Sequence, residues 1–305
     1  MIYTCTITPS IDYTVYLPEF HAGELNRSKE VYYYPGGKGI NVSRVLKGLG
    51  ESSIALGFAG GFTGKYITDF LEQEGIRTDF IHTPEITRIN VKIKANEESE
   101  LNGPGPVITP EQQEALLVKM KTFAEGDWFI LAGSLPSSIN RSFYLEIANV
   151  CKQKNVHFVL DTSGPALKNL IPAKPFLIKP NQQELGELFD TEVTTIAEAV
   201  QLANQLVEEG VKHVIVSMGG EGAILATKDH AFVAKAPQGT VVNTVGSGDS
   251  LVSGFIASYI NNGDPVQAFR YGVASGSATA FQTDLCKKED VMKLFTSVQI
   301  IPFQE

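Results

Sequence analysis

A chain of 305 residues is long enough for one large α/β domain or two ordinary ones, and 43% hydrophobic with 19% charged residues is the composition of a globular protein, not a disordered one. The formal net charge of −9 argues against nucleic acid as the main partner, because phosphate backbones select basic surfaces. It leaves room for a small anionic ligand in a locally basic pocket.

In chain order, the first stretch "MIYTCTITPSIDYTVYL" lacks a basic region followed by a long apolar core, so it does not read as a signal peptide. Nowhere are there the roughly 18 consecutive apolar residues of a membrane span, and a cytoplasmic protein is expected. Cys5, Cys151 and Cys286 share no close spacing, so they read as buried thiols in a reducing compartment, not as a zinc cluster or disulfide framework. Residues 12–34 carry few helical signals and several alternating, β-type runs, as do residues 87–108 further on. Together they predict a small β flap standing off a main sheet, able to close a cleft and exclude water. Between them, "PGGKGINVSRVLKGLG" (35–50) predicts a glycine-rich turn entering an amphipathic helix, which serves either as an anion- or hydroxyl-binding turn or as a plain helix start. In "TRINVKIKA" the two-residue period puts Ile89, Val91 and Ile93 on one face and Arg88, Asn90, Lys92 and Lys94 on the other. Donors in such a row suit a phosphorylated ligand, or the solvated face of an edge strand.

From residue 128 onward, buried strands "WFILAG", "VHFVLDT", "FLIKPN" and "HVIVSMGG" alternate with helical segments such as "INRSFYLEIANVCKQKN" and "TIAEAVQLANQLVEEG". That alternation predicts an α/β protein with a mostly parallel sheet covered on both faces, and ligands beyond the carboxyl ends of its strands. The small and polar ends "GSLP", "DTSG", "KPNQQE" and "SMGGEG" are therefore candidate site segments. No repeat or low-complexity tract interrupts the pattern. Next comes "NTVGSGDS" (243–250), directly before the apolar run of another helix. Gly246, Ser247 and Gly248 permit close backbone approach, and unpaired amides at a helix start suit a phosphate or a developing anion. Asp249 at that start is expected to stay ionised and can take a proton from a hydroxyl, although an ordinary helix-start acid reads the same way. "GSGDSL" fails the dinucleotide fingerprint at Leu251 and "AGGFTGK" fails the P-loop spacing at Ala59, which speaks against a nicotinamide oxidoreductase. The five histidines (His21, His82, His157, His213, His230) have no metal-like spacing and read as surface or packing residues.

Taken together, "GGKGINVS" (36–43), "NQQE" (181–184), "SMGGEG" (217–222) and "TVGSGD" (244–249) resemble, in order and spacing, the motifs of the ribokinase-like (PfkB) carbohydrate kinases. The resemblance covers the whole chain. It implies one ribokinase-like domain over residues 1–305, with a lid from about 12–34 and 87–108, transferring the γ-phosphoryl of ATP with Mg²⁺. Asp249 would be the base and the amides of Gly246, Ser247 and Gly248 the anion hole, which fits a reaction that needs alignment and charge stabilisation more than covalent help. Asp12, Gly37, Lys38 and Asn41 match sugar-hydroxyl positions. Asn181 and Glu184 would order Mg²⁺ through water, and Lys179, Ser217, Met218, Gly219, Gly220, Glu221, Gly222 and Gly248 would border the nucleotide.

"TPSID", "GGKG", "TRINVKI" and "GSLP" resemble the branch of the family acting on phosphorylated ketohexoses, with the substrate phosphate meeting some of Arg27, Lys38, Arg88, Lys92 and Ser134, and Asn90 a further substrate contact on the same strand face. The form of "TRINVKI" favours fructose 1-phosphate going to fructose 1,6-bisphosphate. Tagatose 6-phosphate is the alternative acceptor, and a non-catalytic phosphosugar sensor on the same fold the distant one. Asn243 stands where many members carry an aspartate that helps hold a monovalent cation, which puts K⁺ activation in question. Edge strands in the flap suggest a homodimer through the lid.

Overall fold

The structure is a computed structural model and describes residues 1–136 and 138–304. Eleven strands build one large sheet. Its order is Ile300–Pro302, Ala231–Ala234, Ala223–Thr227, His213–Ser217, Leu177–Ile178, His157–Asp161, Trp128–Ala132, Ile2–Thr6, Ser53–Gly60 and Arg77–Thr78, with Ile81–Thr83 also pairing on Ser53–Gly60. Pairing is parallel from Arg77–Thr78 across to His213–Ser217 and antiparallel over the remaining three strands. The expected four strands from residue 128 onward are all present, as are the helices Arg141–Gln153 and Ile196–Glu208.

Strand Trp128–Ala132 shows why these runs lack polar positions. Phe129 and Leu131 enter one core cluster with Leu56, Phe158 and Leu160, while Trp128, Ile130 and Ala132 enter the other with Val159, Phe255 and Ile256. With helices on both faces, a period-two strand must be apolar at every residue. Helix Ser247–Asn262 is buried at nine consecutive positions, Asp249 to Ala257. It lies close against helix Pro265–Ala280: a Cβ on Gly254 would stand 2.3 Å from Ser275 Oγ, and one on Gly272 2.7 Å from Leu251 O. Glycine there lets the two helices approach.

The expected flap is a separate four-stranded sheet, ordered Glu30–Gly36, Ser10–Tyr16, Arg88–Lys94 and Glu98–Asn102. It starts two residues earlier than the sequence suggested, because Ser10 pairs with both Gly36 and Arg88, and residues 103–108 add no strand. Ile11 anchors it to the body through a third apolar cluster with Ile40, Ile67 and Leu71. The three cysteines are buried and free. His21, His82 and His230 lie at the surface, whereas His213 is 5% exposed among Phe176, Phe255 and Tyr259, with burial pushing its imidazole down to about 4. No helix of the described residues is long and apolar enough to cross a membrane.

Candidate active site

At the carboxyl ends of the parallel strands, a cavity of about 350 Å³ is lined from both sheets. It brings together Asp12, Gly37, Lys38, Asn41, Arg88, Asn90, Lys92, Ser134, Lys179, Gly246, Gly248 and Asp249, residues up to 237 positions apart in sequence. Arg27 is the exception among the expected substrate contacts. It is exposed in the segment joining Ser10–Tyr16 to Glu30–Gly36 and does not line the cavity.

The turn before helix Lys38–Leu49 needs its glycines. Gly37 has φ 117°, and a Cβ there would stand 2.6 Å from Thr6 Cγ2; a Cβ on Gly39 would stand 2.6 Å from Thr6 Oγ1. Thr6 Oγ1 in turn accepts from Ile40 N at 3.1 Å. The turn therefore settles onto the end of strand Ile2–Thr6, and this puts Lys38 and Asn41 at the cavity wall.

Charge is organised around Asp161, which the sequence marked only as the start of the candidate segment "DTSG" and gave no individual role. Asp161, the last residue of strand His157–Asp161, is fully buried, accepts from Lys38 Nζ at 3.0 Å and lies 3.4 Å from Lys179 Nζ. Burial alone would push its carboxyl up, but the two ammonium groups hold it below the usual carboxylate range. Burial likewise opposes the charge on Lys38, and Asp161 and Asp249 more than restore it. Asp249 is 5% exposed, and Asn41 Nδ2 donates to its Oδ2 at 2.8 Å. Burial first, then the nearby Asp161, push its carboxyl up to about 6 against the pull of Asn41, Lys38 and Lys179. Asp249 stays ionised for the most part near neutrality, as expected, but the helix start does not offset burial, and the carboxyl is brought into the range useful to a base.

On the small sheet, Asp12 is fixed from three sides. Ser10 Oγ donates to its Oδ1 at 2.8 Å, Asn90 Nδ2 donates to the same oxygen at 3.1 Å, and Lys92 Nζ lies 3.3 Å from Oδ2. A Cβ on Gly36 would stand 2.3 Å from Asp12 Oδ1, so this arrangement requires the glycine. Arg88 differs from the other cavity cations. Among the described residues it makes no ion pair, its buried Nε has no partner, and burial lowers its pKa against the weak pull of Asp12. A half-buried guanidinium left in this state is suited to pairing with an anion.

The turn before helix Ser247–Asn262 has Gly246 in the left-handed region at φ 80° and no side-chain cap. The amide of Ser247 is directed to Thr244 O at 3.2 Å, which removes it from the expected anion hole. The amides of Gly246, Gly248 and Asp249 make no hydrogen bond among the described residues. Gly248 also leaves space for the neighbouring lysine, since a Cβ there would be 3.1 Å from Lys179 Nζ.

Beyond Lys179 opens a wider groove of about 890 Å³, lined by Asn181, Ser217 and Gly219 among others. Asn181 and Glu184 cap their own helix reciprocally: Glu184 N donates to Asn181 Oδ1 at 2.7 Å and Asn181 N to Glu184 Oε2 at 2.8 Å. Glu184 is half-buried, and its Oε1 has no hydrogen-bond partner among the described residues, which fits a carboxylate that would order a hydrated Mg²⁺ through water. In the "SMGGEG" turn, space beside Gly219 and Gly220 is open, Glu221 is exposed, and a Cβ on Gly222 would stand 2.0 Å from Ala234 O. Met218 is 6% exposed and packs in the core, so it anchors the turn while also lining the groove beside Ser217 and Gly219. Asn243 Nδ2 donates to Thr283 O at 3.4 Å and its Oδ1 accepts from Val245 N at 3.1 Å, so this amide tethers the turn that precedes Gly246.

Sequence reasoning also passed over Thr6, Thr8 and Ser10, which line the cavity. Their signal was the placing of Thr6, Thr8 and Ser10 at alternate positions at the end of the first strand and just beyond it, part of which the "TPSID" motif already covered.

Residues 5–290 match the pattern of the pfkB family carbohydrate kinases. The chain is 50% identical over 300 residues to the 1-phosphofructokinase of Bacillus subtilis, covering 98% of this chain and 99% of that one. It is 33% identical over 308 residues to a tagatose-6-phosphate kinase of Staphylococcus epidermidis, covering 99% of each. The fold superposes on Escherichia coli phosphofructokinase-2 in complex with substrates and products with a TM-score of 0.91 and 29% identity, covering 97% of this chain and 98% of that one.

Proposed function

The chain belongs to the pfkB family of carbohydrate kinases, and we propose that within it the protein transfers the γ-phosphoryl of ATP to fructose 1-phosphate, giving fructose 1,6-bisphosphate and ADP in the cytoplasm. The observation that carries this reading is Arg88. An unpaired, half-buried guanidinium shares one cavity with a buried aspartate of raised pKa, so the acceptor brings an anion for the first and a hydroxyl for the second. Similarity supports the choice of hexose, at 50% identity to a 1-phosphofructokinase against 33% to a tagatose-6-phosphate kinase.

Asp249 accepts the proton of the acceptor hydroxyl as that oxygen bonds to the γ-phosphorus and the bond to the leaving ADP oxygen breaks. The amides of Gly246, Gly248 and Asp249 receive the charge on the equatorial oxygens, assisted by Lys179 beside them. Asp12, Asn90 and Asn41 hold sugar hydroxyls, and Arg88, Lys38, Lys92 and Ser134 hold the substrate phosphate. The open turn at Gly219–Glu221 borders the nucleotide. Glu184 and Asn181 would order Mg²⁺ through water, and when bound it would neutralise charge on the phosphates.

A homodimer also fits. Val31, Tyr33, Ile89 and Leu101 leave an exposed apolar patch on the small sheet, at 40%, 54%, 37% and 63% exposure. Sedimentation of Leu101→Glu beside the parent chain tests it: a patch that joins two copies loses the dimer, and an unchanged mass places the contact elsewhere.

The kinase reading is tested by ATP-dependent ADP release with fructose 1-phosphate, fructose 6-phosphate, tagatose 1-phosphate and tagatose 6-phosphate, with Asp249→Asn as control. Turnover of fructose 1-phosphate, lost in the control, is expected. Preference for tagatose 6-phosphate would keep the mechanism and replace the acceptor. No turnover with any of the four would leave a phosphosugar sensor as the better reading.

A further inference from the structure

Arg44 lies on helix Lys38–Leu49, three residues after Asn41, with a side chain only 9% exposed. Its Nε and Nη2 grip Glu74 at 2.9 and 3.0 Å, and its Nη1 and Nη2 grip Asp284 at 3.3 and 3.0 Å. The rings of Tyr34, from the small sheet, and Phe70 lie 5.7 and 5.4 Å from the guanidinium carbon. Only a planar fork can hold two carboxylates in this way while stacking between rings.

The two carboxylates lead to different places. Glu74 ends helix Gly61–Gln73 and ties Arg44 to the body. Asp284 belongs to the segment backing the anion turn: Leu285 Cδ2 lies 2.5 Å from where a Cβ on Gly246 would be, and Thr283 O accepts from Asn243 Nδ2 at 3.4 Å. Helix Lys38–Leu49 therefore reaches the turn by two routes. Asn41 bonds Asp249 directly, and Arg44 holds the segment on which Gly246 rests. Arg44 does not line the 350 Å³ cavity; with Asp284 and Leu285 it lines a neighbouring groove of about 570 Å³ that shares Asp12, Asn41, Lys92 and Val245 with it.

We propose that Arg44, acting through Asp284, is a positioning residue that holds the 243–249 turn in register with the acceptor-binding wall. The inference rests on the phosphoryl-transfer reading above, in which a small displacement of the anion turn costs rate and not acceptor affinity.

Steady-state kinetics of Asp284→Asn, Arg44→Lys and the double variant test it, together with hydrogen exchange of the 243–249 amides in the full chain. Each single variant is expected to lose about tenfold in kcat, with KM for both substrates within about twofold, by the rate cost of sub-ångström misplacement. The double variant should lose little more than either single one, because the pair acts as a unit. Exchange at 243–249 should quicken in Asp284→Asn. Glu74→Gln should lower the melting temperature while keeping kcat within about twofold, since that carboxylate does not touch the segment behind the turn. An Asp284→Asn variant with parental kcat and parental exchange would overturn the inference, as would losses in the two singles that simply add. If the parent chain turns over no sugar phosphate, the kinase reading fails, and the exchange measurement still decides whether Asp284 holds the turn.

Discussion

The cavity has two walls made by opposite rules. The wall on the large sheet is a buried frame that exposes only strand ends and one helix start, and its polar groups are there to be used once charge develops. The wall on the small sheet is inverted: Asp12, Asn90, Arg88 and Lys92 point inward, while Tyr33, Ile89 and Leu101 are left outside. On the proposed function, the first wall serves the chemistry and the second holds the acceptor. In kinetic terms, damage to the first should appear in kcat and damage to the second in KM.

Asp249→Asn breaks the first wall most directly. A loss in kcat of about 10³-fold is expected, within the range of general-base catalysis, with KM for the sugar phosphate nearly unchanged. The same variant should melt at a higher temperature near neutral pH. Because its folded pKa of about 6 lies above the ordinary aspartate value of roughly 3.9, the folded state binds more protons, and stability falls as pH rises through that interval. Removing the charge relieves that cost. A kcat loss without a rise in melting temperature would mean that the carboxyl of Asp249 is not held above its ordinary range in the folded chain.

Arg88→Ala breaks the second wall. KM for the sugar phosphate should rise about 30-fold, the value of one or two charge-assisted hydrogen bonds, with KM for ATP and kcat little changed. A comparable loss in kcat would place Arg88 at the transferring phosphoryl and collapse the distinction between the walls. A pH profile sharpens it more gently. The base must be ionised, so kcat/KM should be flat above about pH 6 and fall tenfold per unit below it. Loss setting in near pH 4 would indicate that ligands restore an ordinary carboxylate.

How much of this was readable from residue order follows the same division. Apolar strands, the "GGKG" turn and the "TVGSGD" helix start are local patterns, and the parallel sheet follows from their alternation. What escaped depends on contacts between distant segments. Asp161 looks like any strand end until Lys38 and Lys179 converge on it, and the pKa of Asp249 depends on burial that no local spacing reveals. Ser247 matched an anion-hole position, yet its amide is taken up by Thr244 O within the turn itself. Met218, in the same glycine-turn motif, both packs in the core and lines the wider groove, a double position that its place between a buried strand and a glycine turn does not reveal. Arg27 was placed by its neighbours in sequence, in a segment where no pairing fixes direction.

The chain carries a net charge of −9, yet four cations, Lys38, Arg88, Lys92 and Lys179, stand in and around the cavity against the carboxylates of Asp12, Asp161 and Asp249. Approaching polyphosphates and sugar phosphates therefore meet a repulsive field first and an attractive one only at close range. Added salt shortens the Debye length to roughly 10 Å at 0.1 M and screens the distant repulsion before it reaches the short contacts inside. Encounter rates for both anionic substrates should accordingly rise with ionic strength, the reverse of ordinary electrostatic steering. The time each ligand stays bound is set separately, by the close pairs in the cavity.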